Sequence, residues 1–140
     1  MEQVISLLNQ KNQHLEKFFD LNESEMDNFR RAQFTNIETF YQSRETILDV
    51  IRIIDENIEK LNQQEPTSGP TQEQRGEVQD LLAITEDLVK EILNQDLQIL
   101  SFVEQAKTEI IRELQGVRRN RKAVSAYRSP NVIPLLDEEL

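Results

Sequence analysis

Residues 37–61 read IETFYQSRETILDVIRIIDENIEKL, and their spacing decides the fold. Ile37, Phe40, Arg44, Ile47, Ile51, Ile54, Ile58 and Leu61 follow one another in alternating steps of three and four, and only Arg44 among them is polar. A half-buried strand would repeat every two residues. Steps of three and four return to one face of a helix and build a coiled-coil seam. Thr35 and Glu38 have the spacing of a capping box at its start, and Lys60 places a cation near its negative end. The predicted helix covers about 36–62.

Upstream, Val4, Leu8, Leu15, Phe18 and Phe29 keep the same register, with Lys11, Asn22 and Glu25 interrupting it and Leu7 and Phe19 widening the stripe. They predict a helix over about 2–31, ending on Arg30 and Arg31 where cations are favoured. Asn22 and Glu25 would cap a restart if that helix broke at 22–24. Downstream, residues 62–76 (NQQEPTSGPTQEQRG) hold two Pro and two of the three Gly of the chain, which marks a linker over 63–71. Thr71 and Gln74 have the spacing of a second capping box.

A third helix is predicted over 72–127. Its seam is Val78, Leu81, Thr85, Leu88, Ile92, Gln95, Ile99, Phe102 and Ala106, and then it shifts to Ile110, Leu114 and Val117. Three successive steps of four from Phe102 make a stutter, which locally unwinds a left-handed supercoil. Ser129-Pro130 closes the pattern, leaving 129–140 as a flexible tail outside a single helical domain of 1–128.

The fold class these spans define is all-α: an antiparallel helical hairpin plus one long C-terminal helix, in a coiled-coil-like three-helix bundle. A turn of about four residues forces the first two helices antiparallel. At about 1.5 Å per residue they run roughly 40–45 Å, whereas the third runs about 80 Å. The hairpin is therefore expected to cover the first half of the third helix only. Ala106, Ile110, Ile111, Leu114 and Val117, with Val103 beside them, are the residues it would leave bare, and they are the candidate partner-binding site. Ile133, Leu135 and Leu136 of the tail would either fold over that stripe or hang free of it.

Composition narrows the function. The chain of 140 residues carries a formal net charge of −10, which argues against general nucleic-acid binding. The stretch 107–128 alone carries +5, so the rest carries −15. Arg118, Arg119, Arg121 and Lys122 lack interleaved aromatic rings and suit a helix C-terminus better than RNA. No apolar run approaches membrane-helix length, so no membrane insertion is expected. Absence of a signal-peptide pattern and of Cys fits a cytoplasmic setting.

Catalytic chemistry finds few groups. His14 is the only histidine, which removes His-based metal triads and Ser-His-Asp arrangements. The three Gly are too scattered for a phosphate loop. Carboxylates are many, but the Glu-x-x-His pair of a carboxylate-bridged metal site is missing, since Lys11 stands three residues before His14. Neither an enzyme nor a cofactor is expected. Arg44 and Gln95, the polar members of the seams, either fix helix register, with Arg44 snorkelling outward, or grip a partner's polar groups.

Certain runs match a known pattern. Leu7-Leu8, Leu15, Ala32-Gln33-Phe34-Thr35-Asn36-Ile37-Glu38, Arg44-Glu45-Thr46-Ile47-Leu48 and Ile51 form its N-terminal part. Asp96-Leu97-Gln98-Ile99, Lys107, Ile110, Glu113-Leu114, Lys122-Ala123 and Ala126-Tyr127 form its C-terminal part. In these residues the chain resembles the FlgN family of flagellar export chaperones over roughly 1–128, the linker apart. It departs at Gln33-Phe34, where family members often have Gly-Asp. The resemblance implies a cytoplasmic type III secretion chaperone that is a monomer or weak homodimer. Its long C-terminal helix would hold helical hook–filament junction subunits, and Tyr127 would dock on the export gate. The alternative is a structural coiled-coil adaptor that closes its bare seam by homo-oligomerising.

Overall fold

The computed structural model describes residues 1–64 and 68–127 of the chain. Three helices make it all-α: α1 (Glu2–Arg30), α2 (Ile37–Gln63) and α3 (Gln72–Tyr127), with no strand among the described residues. α1 runs unbroken through 22–24, as one helix over about 2–31 requires. The chain clusters into two compact units, Met1–Leu100 and Ser101–Leu140.

The first unit holds the core. Leu15 and Phe18 of α1, Ile51 of α2 and Ile92 of α3 form one buried cluster, with Phe19, Ile47 and Leu88 packed against it. Every predicted seam residue of α2 is buried or half-buried, and the same holds for α3 from Val78 to Ile99. In α1 the seam is wider than expected. Asn12 and Met26 are buried, while Lys11 and Glu25 are only half-buried. Lys11 reaches sideways instead, to Asp55 of α2 at 2.8 Å.

The turn between α1 and α2 is built from backbone bonds. The Ala32 N–H donates to the Phe29 carbonyl (3.0 Å), and the Gln33 N–H donates to the Asn28 carbonyl (2.8 Å). These two bonds make a Schellman motif, with Ala32 as its left-handed residue at φ 56°. Glycine normally fills that position because a Cβ there is strained. Ala32→Gly is therefore expected to stabilise the unit by about 0.5–1 kcal/mol, after its gain in unfolded-chain entropy is set against the relieved strain. A thermal melt checks it: the midpoint should rise by a few degrees, and a fall would refute the strain.

The predicted capping box at Thr35 and Glu38 does not form. Asn36 is the residue at the N-cap, and it makes no side-chain capping bond. The Ile37 N–H instead donates to the Phe34 carbonyl at 3.2 Å. Phe34 is held there by stacking on Phe29, ring centroids 5.4 Å apart, so Thr35 falls inside a turn and not at the helix start. At α3 the box is complete. The Thr71 N–H donates to Gln74 Oε1 (3.0 Å), and the Gln74 N–H donates to Thr71 Oγ1 (3.1 Å).

The second unit is described through the helical residues 101–127. No residue of 101–126 is buried.

Candidate partner-binding surfaces

Two interior polar layers come first, because they set how the helices of the first unit meet. In one, Asn12 Nδ2 donates to the Leu81 carbonyl at 3.1 Å, and the Thr85 hydroxyl donates to Asn12 Oδ1. In the other, Asn22 Nδ2 donates to Gln95 Oε1 at 2.9 Å, while Gln95 Nε2 donates to the Phe19 carbonyl (3.1 Å) and Glu23 Oε1 (2.8 Å). Partner residues in both layers are 73 positions apart. A slip by one turn would break both at once and strand polar groups in the core.

Asn22 is 0% exposed, so its amide has no water to fall back on. Gln95→Leu is expected to cost about 1–3 kcal/mol, the penalty of leaving that buried donor unmet. Asn22→Leu added to it removes the stranded group and should recover most of the loss. Urea unfolding of both variants checks this; a double variant weaker than Gln95→Leu alone would overturn it.

Arg44 does not snorkel outward. Its guanidinium lies 4.6 Å from the centroid of the Phe18 ring and 5.2 Å from that of Phe40, and Nη2 donates to Asp96 Oδ1 at 2.9 Å. The side chain is thus sandwiched between rings and paired, which makes it a link from α2 to α3.

Of the residues singled out in the second unit, Val103 and Ala106 are half-buried. Ile110, Ile111, Leu114 and Val117 are exposed, Leu114 to 57%. Val124, which the sequence reading passed over, is exposed as well and extends the line by two turns. Positions 110, 114, 117 and 124 return to one helical face. Lys107, Arg118 and Arg121 stand one turn from its apolar members, and so does Glu113 on the opposite side, so one edge of the line is cationic and the other carries a carboxylate. Tyr127 ends α3, and its side chain lies outside the described residues, as does the tail with Ile133, Leu135 and Leu136.

A second apolar surface lies in the first unit. Leu82, Val89, Leu93, Leu97 and Leu100 of α3 are exposed, Leu97 to 68%, and so are Tyr41 and Leu48 of α2. Its signal in the sequence is a series of doublets: Leu81-Leu82, Leu88-Val89, Ile92-Leu93 and Ile99-Leu100. Adjacent helical residues point about 100° apart, so each doublet supplies one buried or half-buried side chain and one exposed flanking side chain. Ile110-Ile111 is a further doublet in the second unit, and both of its side chains are exposed.

Among the described residues no group of three or more His, Asp or Glu stands close enough together to hold a metal ion, and no helix is long and apolar enough to cross a membrane. No protein-family model, curated protein or solved structure matches the chain.

Proposed function

We propose that this protein is a cytoplasmic export chaperone of the flagellar, type III secretion kind, binding an amphipathic client helix along residues 103–117. The observation that carries this reading is the exposed apolar line Ile110, Ile111, Leu114 and Val117 on a stretch with no buried residue from 101 to 126. A helix that leaves so much apolar surface in water is stabilised by a partner that covers it. Client segments that form coiled coils after export would meet it as helix-in-groove ligands, with anchors every three or four residues.

The finer architecture belongs to the same reading. The first unit is a coiled-coil-like bundle in which α1 and α2 form an antiparallel hairpin and α3 up to Leu100 lies parallel to α1. Supporting it, the α1–α2 pairs Lys11–Asp55 and Phe29–Phe40 run in opposite directions along the chain, and the α1–α3 pairs Asn12–Thr85 and Asn22–Gln95 run together. This bundle serves as the rigid handle, and Tyr127 at the end of α3 is the export-gate anchor. Amphipathic tyrosine suits such a contact, and Ala126-Tyr127 belongs to the resemblance with the FlgN family.

Titration calorimetry of the chain with the terminal helices of hook–filament junction subunits tests the function. Saturable one-to-one binding is the expected result. No heat and no co-migration with any such subunit would remove the chaperone reading.

A further inference from the structure

The chain carries two apolar surfaces of opposite surroundings, and that pairing points to an occupant. Around the Arg44–Asp96 ion pair, Tyr41 and Leu48 lie one turn to either side of Arg44 on α2. Leu93 and Leu100 lie one turn to either side of Asp96 on α3, with Leu97 next to it. Two packed helices leave a shallow groove along their line of contact, and by sequence spacing these exposed apolar side chains border it around the ion pair. Leu82 and Val89 continue the α3 border. Its length from Leu82 to Leu100 is about 27 Å at 1.5 Å per residue.

Charge around the groove is acidic. On α2, Glu38, Glu45, Asp49 and Glu56 flank Tyr41 and Leu48; of the two cations in that stretch, Arg44 is paired with Asp96 and Arg52 with Asp49 at 3.5 Å. Glu86 stands beside the α3 border, with Lys90 drawn to it at 3.3 Å. Residues 1–100 as a whole hold twenty acidic side chains against nine basic ones. Residues 107–122 hold six basic against two acidic, on a helix whose apolar line from Val103 to Val124 spans about 31 Å. Apolar length matches apolar length, and basic border meets acidic border.

We propose that the groove between α2 and α3 of the first unit is a docking site for a second copy of this chain, which seats its 101–127 helix there as a fourth helix. Leu114 and Val117 of the incoming copy pack against Leu93, Leu97 and Leu48, while its Lys107, Arg118 and Arg121 face the Glu45, Asp49 and Glu86 rim. The contact joins two different patches, so every copy offers one groove and one helix. Self-association covers the stripe that the client uses, which keeps it out of water until a client displaces the second copy. The docking itself does not rest on the chaperone reading.

Sedimentation equilibrium of the full chain tests it, with Leu97→Glu as the groove variant and Leu114→Glu as the stripe variant. The wild-type average mass should climb above the monomer with concentration and fall back as salt is raised. Each variant alone should associate about thirtyfold more weakly or worse, the usual consequence of losing one large anchor. An equimolar mixture of the two should recover association, because the first still has its stripe and the second its groove. Leu97→Glu should bind client helices at least as well as wild type, which separates this test from that of the chaperone function. Both positions are more than half exposed, and circular dichroism verifies folding; Leu93→Glu and Ile110→Glu replace any variant that loses helicity. A wild-type chain that stays monomeric at every concentration overturns the proposal. So does wild-type association by Leu97→Glu, as stripe-to-stripe pairing would give, or a mixture that fails to recover.

Discussion

Phe29→Ala is expected to destabilise the first unit by about 3–5 kcal/mol, the usual range for truncating a buried phenylalanine. Phe29 is 2% exposed and is one of the two largest fully buried side chains. Its ring stacks on Phe34 at 5.4 Å and meets Phe40 edge-on at 5.2 Å, so a single side chain ties the end of α1, the turn and the start of α2 together. α2 begins without a side-chain cap, and no capping bond is available to hold its first turn when the ring is lost. Domains of this size are typically stable by only about 5–15 kcal/mol, so the variant should be close to half unfolded under mild denaturant. Urea unfolding followed by circular dichroism measures it. A loss under about 1 kcal/mol would mean that the aromatic cluster does not hold the turn.

Ile110→Asp combined with Leu114→Asp should lower client affinity by about thirtyfold or more, to the point where calorimetry records no binding. Both side chains are over half exposed, so replacing them removes no packing from the core. Helical content should fall only marginally, since aspartate costs a helix interior about 0.5 kcal/mol relative to leucine or isoleucine. Ile47→Asp provides the contrast. Ile47 packs against the buried cluster of Leu15, Phe18, Ile51 and Ile92, and a carboxylate placed against that apolar cluster should unfold the first unit. Wild-type client affinity in the double variant, with normal helicity, would put the client site elsewhere on the chain.

Helix positions were legible because periodicity is a local property. The eight seam residues of α2 all turn inward, and Thr71 and Gln74 close their capping box as their spacing implies. The other predicted box was not legible. Thr35 and Glu38 have the right spacing, but Phe34 stacks on Phe29 and draws the turn one residue off the pattern. A local motif lost to a tertiary contact, since burying an aromatic ring outweighs the roughly 1 kcal/mol of a cap.

The candidate client stripe could be located from spacing and helix length before any coordinates, whereas the groove of the first unit could not. Doublets such as Ile92-Leu93 place apolar groups on two faces about 100° apart, and nothing local says which face a neighbour will cover. By itself, then, the sequence determined that this protein is three helices, each with an apolar seam, together with an acidic body and a basic stretch near the end of α3. Only the tertiary structure decided that Asn12 and Met26 go inside while Lys11 stays at the edge with Asp55. It also decided that Asn22 closes on Gln95, and that Leu93, Leu97 and Leu100 stay outside. The physical reason is that α1 packs against two helices at once: residues 11 and 12 flank its seam on opposite sides, and the neighbour each one meets sets which is buried.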